Sequence, residues 1–405
     1  MKKLFCILFC LLFTAFALVG CGDVEREEWL GDGKKDDDGY IIGGKYNGYP
    51  TVSEIPYVNI NLYIIVEDST WQSEDAVVIE DNNKLGVVTQ SINTVNNAIK
   101  DFTSTQYHTE VNVVYVSEKD YDKVVLDAVK ADNTNAAAAS IVLVNSYKLM
   151  QELYATGKLC SLDSYLATTK YGTLNESIPD ALLQASKLEK TEDGNVVKNL
   201  YSIPNNHVIG KYEYLLINKE TAIANNISEE KARTLLSYES ALEAFGYDVA
   251  NVPSDVIALV SGSYENRYQF EAQGYYCNVV NNPIADKNEA FTSAFAIVNR
   301  NTSDGKIDYN ERAMEVVYGI NTNPTLRNLL QYGVAGTNYT LEEDGSVVLI
   351  GGSNRYDMNL IYTGDILEAY YCQSINWDDD AKKNAINQNS DSQIVEVYSP
   401  SQDEE

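Results

Sequence analysis

An α/β protein built as two lobes is the fold class this sequence predicts, and three observations predict it. Apolar strand-like runs alternate with helix-spaced segments from residue 58 to 144, and parallel strands need helical crossovers of that kind. A 405-residue chain less a 20-residue leader leaves 385, a length that suits two lobes better than one. A polar, glycine-rich tract separates the leader from the first strand, so the folded body begins near residue 56.

Met1-Lys2-Lys3 supplies a positive start, residues 4–19 are almost unbroken apolar, and Leu18-Val19-Gly20-Cys21 closes the run with small residues and a cysteine. These are the parts of a secretory signal peptide, and the run is shorter than the roughly 20 apolar residues of a membrane span. The ending resembles a bacterial lipobox. That resemblance implies a lipoprotein signal peptide at 1–20 and a diacylglyceryl, palmitate-bearing Cys21. The body would then be lipid-anchored at the outer, extracellular face of a Gram-positive-type cell membrane. Residues 21–55 read as the lipidated cysteine and a flexible tether, with Asp36-Asp37-Asp38 as a solvated spacer.

Val58–Val66 (VNINLYIIV) is apolar on both faces, as a buried strand requires. Over 91–102, Ile92, Val95, Ile99 and Phe102 recur at helical spacing, and 109–116 alternates as a strand. Residues 118–131 return to helix on Tyr121, Val124, Val125 and Val129, and 140–144 is a short apolar strand. Such sheets bind ligands in the loops at the carboxyl ends of their strands, here 67–71, Ser117 and 145–147. Farther on come a helix near 179–188, a pair of strands at 200–203 and 214–217, a helix-rich stretch at 228–245 and a strand at 256–260.

The order of these elements, with the phrases GKLCSLDSYL (157–166), NLYSIPNN (199–206) and YEYLLINKE (212–220), resembles the extracellular solute-binding proteins of ABC importers, the sugar-type, two-lobed family. Ala294-Phe295-Ala296-Ile297-Val298, a helix at 311–320 and NPTLRNLLQYGVAGTNYTL (323–341) fit the family's return strand, helix and following segment. Tyr362-Thr363-Gly364-Asp365 and Trp377-Asp378-Asp379 also agree, and the likeness runs from about 56 to 380. It implies a periplasmic-binding-protein-like fold of two α/β lobes joined by hinge crossovers. Lobe 1 would hold 56–204 plus 291–345, lobe 2 205–290 plus 346–398, and 399–405 a tail. The second lobe is shortened, because 228–245 stands where relatives carry a longer run of sheet and helix.

The charge bounds the partners. Losing residues 1–20 removes two lysines and no acid from 30 basic and 59 acidic residues, leaving 28 against 59, a formal charge of −31. So acidic a body repels nucleic acid and anionic lipid. Cys160, Cys277 and Cys372 remain beyond Cys21; they allow at most one internal disulfide, with three possible pairings, or three buried thiols. With only His108 and His207 there is no HExxH zinc helix, and no P-loop or GxSxG elbow occurs. Residues 300–311 imitate an EF-hand loop but begin on Arg300, so they read as a turn. No enzyme, cofactor or metal site is expected.

Thirty tyrosines and three tryptophans suit stacking on neutral ligands, although tyrosine is also ordinary sheet material. The family resemblance directs the site to strand ends and crossovers: Asp68 and Trp71 after the first strand, and Asn145 and Tyr147 after the third. Asn205 and His207 would lie at the first crossover, and Tyr264 would be the aromatic platform of lobe 2. Tyr332 and Tyr339 read as core or hinge packing. The function implied is that of a membrane-anchored, monomeric binding subunit. It would capture a carbohydrate, an oligosaccharide above all, in an interlobe cleft and pass it to ABC permease subunits. The alternative is the same fold binding a peptide, or serving as a sensor or surface adhesin.

Overall fold

The computed structural model describes residues 57–66, 77–81, 84–88, 90–192, 195–248, 252–253, 255–301, 307–351 and 354–394, with short strands at 34–35 and 41–42. Cys21, Asp68 and Trp71 lie outside the described residues. In chain order the elements that carry the argument begin with β1 (Val58–Val66), α1 (Gln90–Tyr107), β2 (Thr109–Ser117), α2 (Tyr121–Lys130), β3 (Ile141–Val144), α3 (Tyr147–Ala155) and β4 (Ser202–Pro204). Next come β5 (Tyr212–Asn218), α4 (Tyr238–Phe245), β6 (Ile257–Gly262), α5 (Asn266–Ala272), β7 (Tyr275–Asn281), α6 (Lys287–Ala290) and β8 (Ala294–Ile297). The chain closes with α7 (Tyr309–Thr322), α8 (Pro324–Tyr332) and α9 (Asp379–Asp391).

Five strands form the first sheet in the order β2-β1-β3-β8-β4. β3 runs parallel to β1, whereas β8 is antiparallel to both β3 and β4. Every residue of β3 and β8 is fully buried, which explains their unbroken apolar composition. α1 covers β2 and bonds to it: Asn96 Oδ1 accepts from Val113 N at 2.9 Å and Thr103 Oγ1 from Val111 N at 3.2 Å. Buried Arg300 closes the other end of this layer, donating to the carbonyls of Ala139, Ala131 and Ala128 at 2.6, 2.7 and 3.0 Å. It thereby caps the carboxyl end of α2, which is why an arginine opens the segment that resembles a calcium loop.

The second sheet, β6-β5-β7, is antiparallel throughout. The strands expected as a pair at 200–203 and 214–217 thus belong to different sheets, β4 to the first and β5 to the second. One face of β5 packs Leu215 and Ile217 against Leu242 and Phe245 of α4. That helix starts with a capping box at Ser237 and stops at Gly246 in the left-handed conformation, φ 70°. The opposite face carries Tyr212, Tyr214 and Leu216 with Cys277, and α5 and Tyr264 pack on it.

The first sheet and the helices packed on it make a first body, the second sheet with α4 and α5 a second, and the chain after 346 packs on α8 and the strand that follows it. Val347–Leu349 pairs with Tyr339–Leu341, and Tyr332, Tyr339, Val347 and Cys372 share one core cluster. Arg327 of α8, fully buried, fixes the rest: it donates to the carbonyls of Asp365 and Leu360 at 3.1 and 2.8 Å and to Gln331. An arginine with all its reach spent on carbonyls holds a chain segment in place as a strand would. Cys160, Cys277 and Cys372 are all free. No helix among the described residues is long and apolar enough to cross a membrane.

Candidate functional site

Strand register builds the site. Val144 at the carboxyl end of β3 and Pro204 at the carboxyl end of β4 both pair with Ala294, the first residue of antiparallel β8. The outgoing crossover (205–211) therefore leaves the same sheet edge at which the returning one (282–293) arrives. Asn145, Asn205 and His207 follow these strand ends directly, and Tyr147 opens α3 beside them. Neighbouring strands lie about 4.8 Å apart, so Asn145 and Asn205 flank the end of β8 within roughly 10 Å.

Three of the expected residues meet the returning crossover. Tyr147 stacks on Phe291 with ring centres 5.6 Å apart and planes 12° from parallel. Asn205 is fully buried; its Nδ2 donates to Ser293 Oγ at 2.8 Å and to Ile361 O at 3.2 Å. His207 Nδ1 lies 2.8 Å from Asn205 O, and its Nε2 lies 3.6 Å from Glu289 Oε2. A carbonyl oxygen only accepts, so Nδ1 carries a proton, and Nε2 is the ring nitrogen that faces the Glu289 carboxylate. Asn145 Oδ1, Asn205 Oδ1 and His207 Nε2 are buried without a hydrogen-bond partner among the described residues. Unpaired buried acceptors are costly, on the order of 1–3 kcal/mol each, and are uncommon in a folded protein.

Tyr264 stands apart from that group, on the second sheet, within a run of aromatic rings. Tyr212 stacks on Tyr214 at 5.3 Å, Tyr264 meets Tyr212 at 6.2 Å, and Tyr268 meets Tyr264 edge-on at 5.9 Å. Tyr268 is 56% exposed, so the run opens to solvent at that end. Burial, followed by the hydrogen bond to Asp391, raises the Tyr212 hydroxyl well above its ordinary range; burial does the same for Tyr214. The rings are neutral, with apolar faces and polar rims.

α9 joins the two groups, and nothing in its sequence announced that role. Gln388 Nε2 donates to Ile209 O at 3.0 Å and Gly210 O at 2.7 Å, while its Oε1 accepts from Tyr264 N at 2.9 Å. Asn389 Nδ2 donates to His207 O and Asn206 Oδ1, and its Oδ1 accepts from Ile209 N at 2.9 Å. The crossover needs glycine at 210: φ is +53°, and a Cβ there would sit 3.0 Å from Ile284 O. Asp365 borders the crossover through Asn206, and burial raises its carboxyl to about 6. A groove of about 590 Å³ lies alongside, lined by Ser177, Pro179, Asn206, Leu367, Asn389 and Ser392 among others. None of the expected site residues lines it.

No family model and no curated protein matches this chain. Among solved structures, it is similar to the N-glycan transport solute binding protein of Streptococcus pneumoniae. The identity is 14%, the coverage 83% of each chain and the TM-score 0.49. The same protein in complex with Man5GlcNAc aligns at 15% identity over 82% of each chain, TM-score 0.47. An extracellular solute-binding protein family 1 member from Alicyclobacillus acidocaldarius aligns at 10% identity over 85% of this chain and 89% of its own, TM-score 0.41.

Proposed function

We propose that this chain is the capturing subunit of an ABC importer, lipid-anchored through Cys21, and that it takes a neutral carbohydrate between its two α/β bodies. The observation that carries this reading is the pair of buried acceptors without donors among the described residues, Asn145 Oδ1 and Asn205 Oδ1, at the sheet edge where both crossovers meet. A polyhydroxylated ligand supplies donors to such atoms, directly or through an ordered water. A carboxylate or phosphate presents further acceptors and is disfavoured there. The Tyr264–Tyr268 rings offer the second body's contribution, an apolar face for a sugar ring.

In this mechanism the hinge moves and no bond is broken. The ligand favours the closed state by its differential affinity for the two arrangements, and the closed surface docks on permease subunits. Asp68 and Trp71 belong to the proposed ligand-contact set with Asn145, Tyr147, Asn205, His207 and Tyr264.

The test is thermal unfolding of the mature protein against mono- and oligosaccharides and peptides. The panel is headed by the mannose–N-acetylglucosamine glycans bound by the Streptococcus pneumoniae protein. A ligand at 100 times its dissociation constant adds about 2.7 kcal/mol of stability. A shift with one glycan class that disappears in Asn205→Ala and Tyr264→Ala supports sugar capture. A shift with peptides alone replaces the substrate, and no shift at all abandons small-ligand capture in favour of an adhesin.

A further inference from the structure

We propose that His207 and Glu289 form a protonation-controlled tie between the outgoing and returning crossovers, one that on acidification stiffens the hinge in the arrangement of this structure. The proposal goes beyond ligand capture and does not depend on which ligand is bound. Its basis is geometric. His207 is 3% exposed, its Nδ1–H is committed to Asn205 O, and its Nε2 faces the Glu289 carboxylate at 3.6 Å. In the neutral ring two acceptors oppose each other. A proton on Nε2 turns the same contact into a charge-assisted donor–acceptor pair without moving either residue.

The two residues sit where such a change can be transmitted. Glu289 belongs to α6, which Asp286 caps and whose Lys287 Nζ donates to Ala185 O at 3.2 Å, pinning α6 to the first body. His207 O accepts from Asn389 Nδ2 of α9 at 2.8 Å, and α9 in turn holds Tyr264 N and Tyr212 of the second body. Pairing of His207 with Glu289 therefore completes a polar path from the first body through the crossover to the second.

Other titratable groups surround the crossover. α6 carries Asp286, already spent on Glu289 N, and Lys287. α9 contributes Asp391, which accepts from Tyr212. On the side of Asn206 lies Asp365, with Arg327 and Glu368 around it. Asp365 also titrates in mildly acidic solution, so the test must separate it from His207.

Amide hydrogen exchange of the ligand-free mature protein, followed by mass spectrometry, makes that separation. Peptides covering 205–211 and 286–293 are compared at about pH 5.5 and about pH 7.5, either side of the range in which histidine changes charge, after correction for intrinsic exchange. The amides of Asn205 and Ile209, bonded to Ser293 O and Asn389 Oδ1, are the reporters. The tie predicts a gain in protection of about fivefold at the acidic pH, the upper end for an ion pair with one partly exposed member. The gain disappears in His207→Gln and in Glu289→Gln and persists in Asp365→Asn. Glu289→Gln, at a partly exposed position, decides the matter even if His207→Gln fails to fold. A gain that survives Glu289→Gln, a gain lost in Asp365→Asn, or no gain in the unaltered protein overturns the proposal.

Discussion

Gln388→Met removes the hydrogen bonds by which α9 joins the two groups of site residues while keeping the side chain's length and bulk. Gln388 is 2% exposed and makes three bonds, to Ile209 O, Gly210 O and Tyr264 N. The substitution leaves two carbonyls and one amide N–H without partners. Orphaning a buried polar group costs about 1–3 kcal/mol. Gly210 and Tyr264 are only part-buried and regain some solvent, which brings the sum to about 3 kcal/mol. The assay is urea unfolding of the unaltered and variant proteins, read as a lower midpoint at unchanged slope. Because the methionine fills the same space, a loss of that size reports the bonds rather than a cavity. A variant within about 0.5 kcal/mol of the unaltered protein, the range of ordinary surface substitutions, would refute the role given to α9.

Three further outcomes follow from buried groups and backbone geometry. Asp365 has a folded pKa of about 6, above the roughly 3.9 of a free aspartate, so the folded state holds its proton more tightly. Its contribution is fully present below about pH 4 and is lost as the pH rises through about 6, a penalty of up to ~3 kcal/mol; Asp365→Asn should flatten the fall in stability over that window, and an unchanged slope in urea unfolding counts against it. Arg327→Met strands the carbonyls of Asp365 and Leu360 and the side-chain oxygen of Gln331, which should cost about 3–5 kcal/mol in the same assay at about 1–3 kcal/mol per buried group; a change under about 1 kcal/mol would show the stitch to be idle. Gly210→Ala forces a left-handed residue against Ile284 O and should cost about 1–2 kcal/mol, whereas a neutral or stabilising effect would contradict the crossover geometry.

The first body was legible because its elements are periodic. β1, α1, β2, α2 and β3 each repeat at 2 or about 3.6 residues, or are continuously apolar, and all five stand within a few residues of where those patterns put them. Pairing was less legible than existence: β4 and β5 read as partners because they are close in sequence, yet β4 pairs with β8, about 90 residues on. β7 escaped notice in Tyr275-Tyr276-Cys277-Asn278, where a buried Asn278 that bonds Ala232 O and Leu235 O interrupts the apolar run. α9 escaped because it has almost no apolar stripe; its work is done by the amides of Gln388 and Asn389, which look like any polar surface. Asn205 and His207 could be named from their place after a strand. Their partners Ser293 and Glu289 lie more than 80 residues away and leave no local trace.

Small-angle X-ray scattering of the mature protein, alone and with the glycan that most raises its unfolding temperature, tests the central claim most directly. Capture between two hinged bodies predicts a smaller radius of gyration at saturation, with the change lost in Asn205→Ala. A glycan that binds without compaction, or a panel in which no glycan binds, would contradict it.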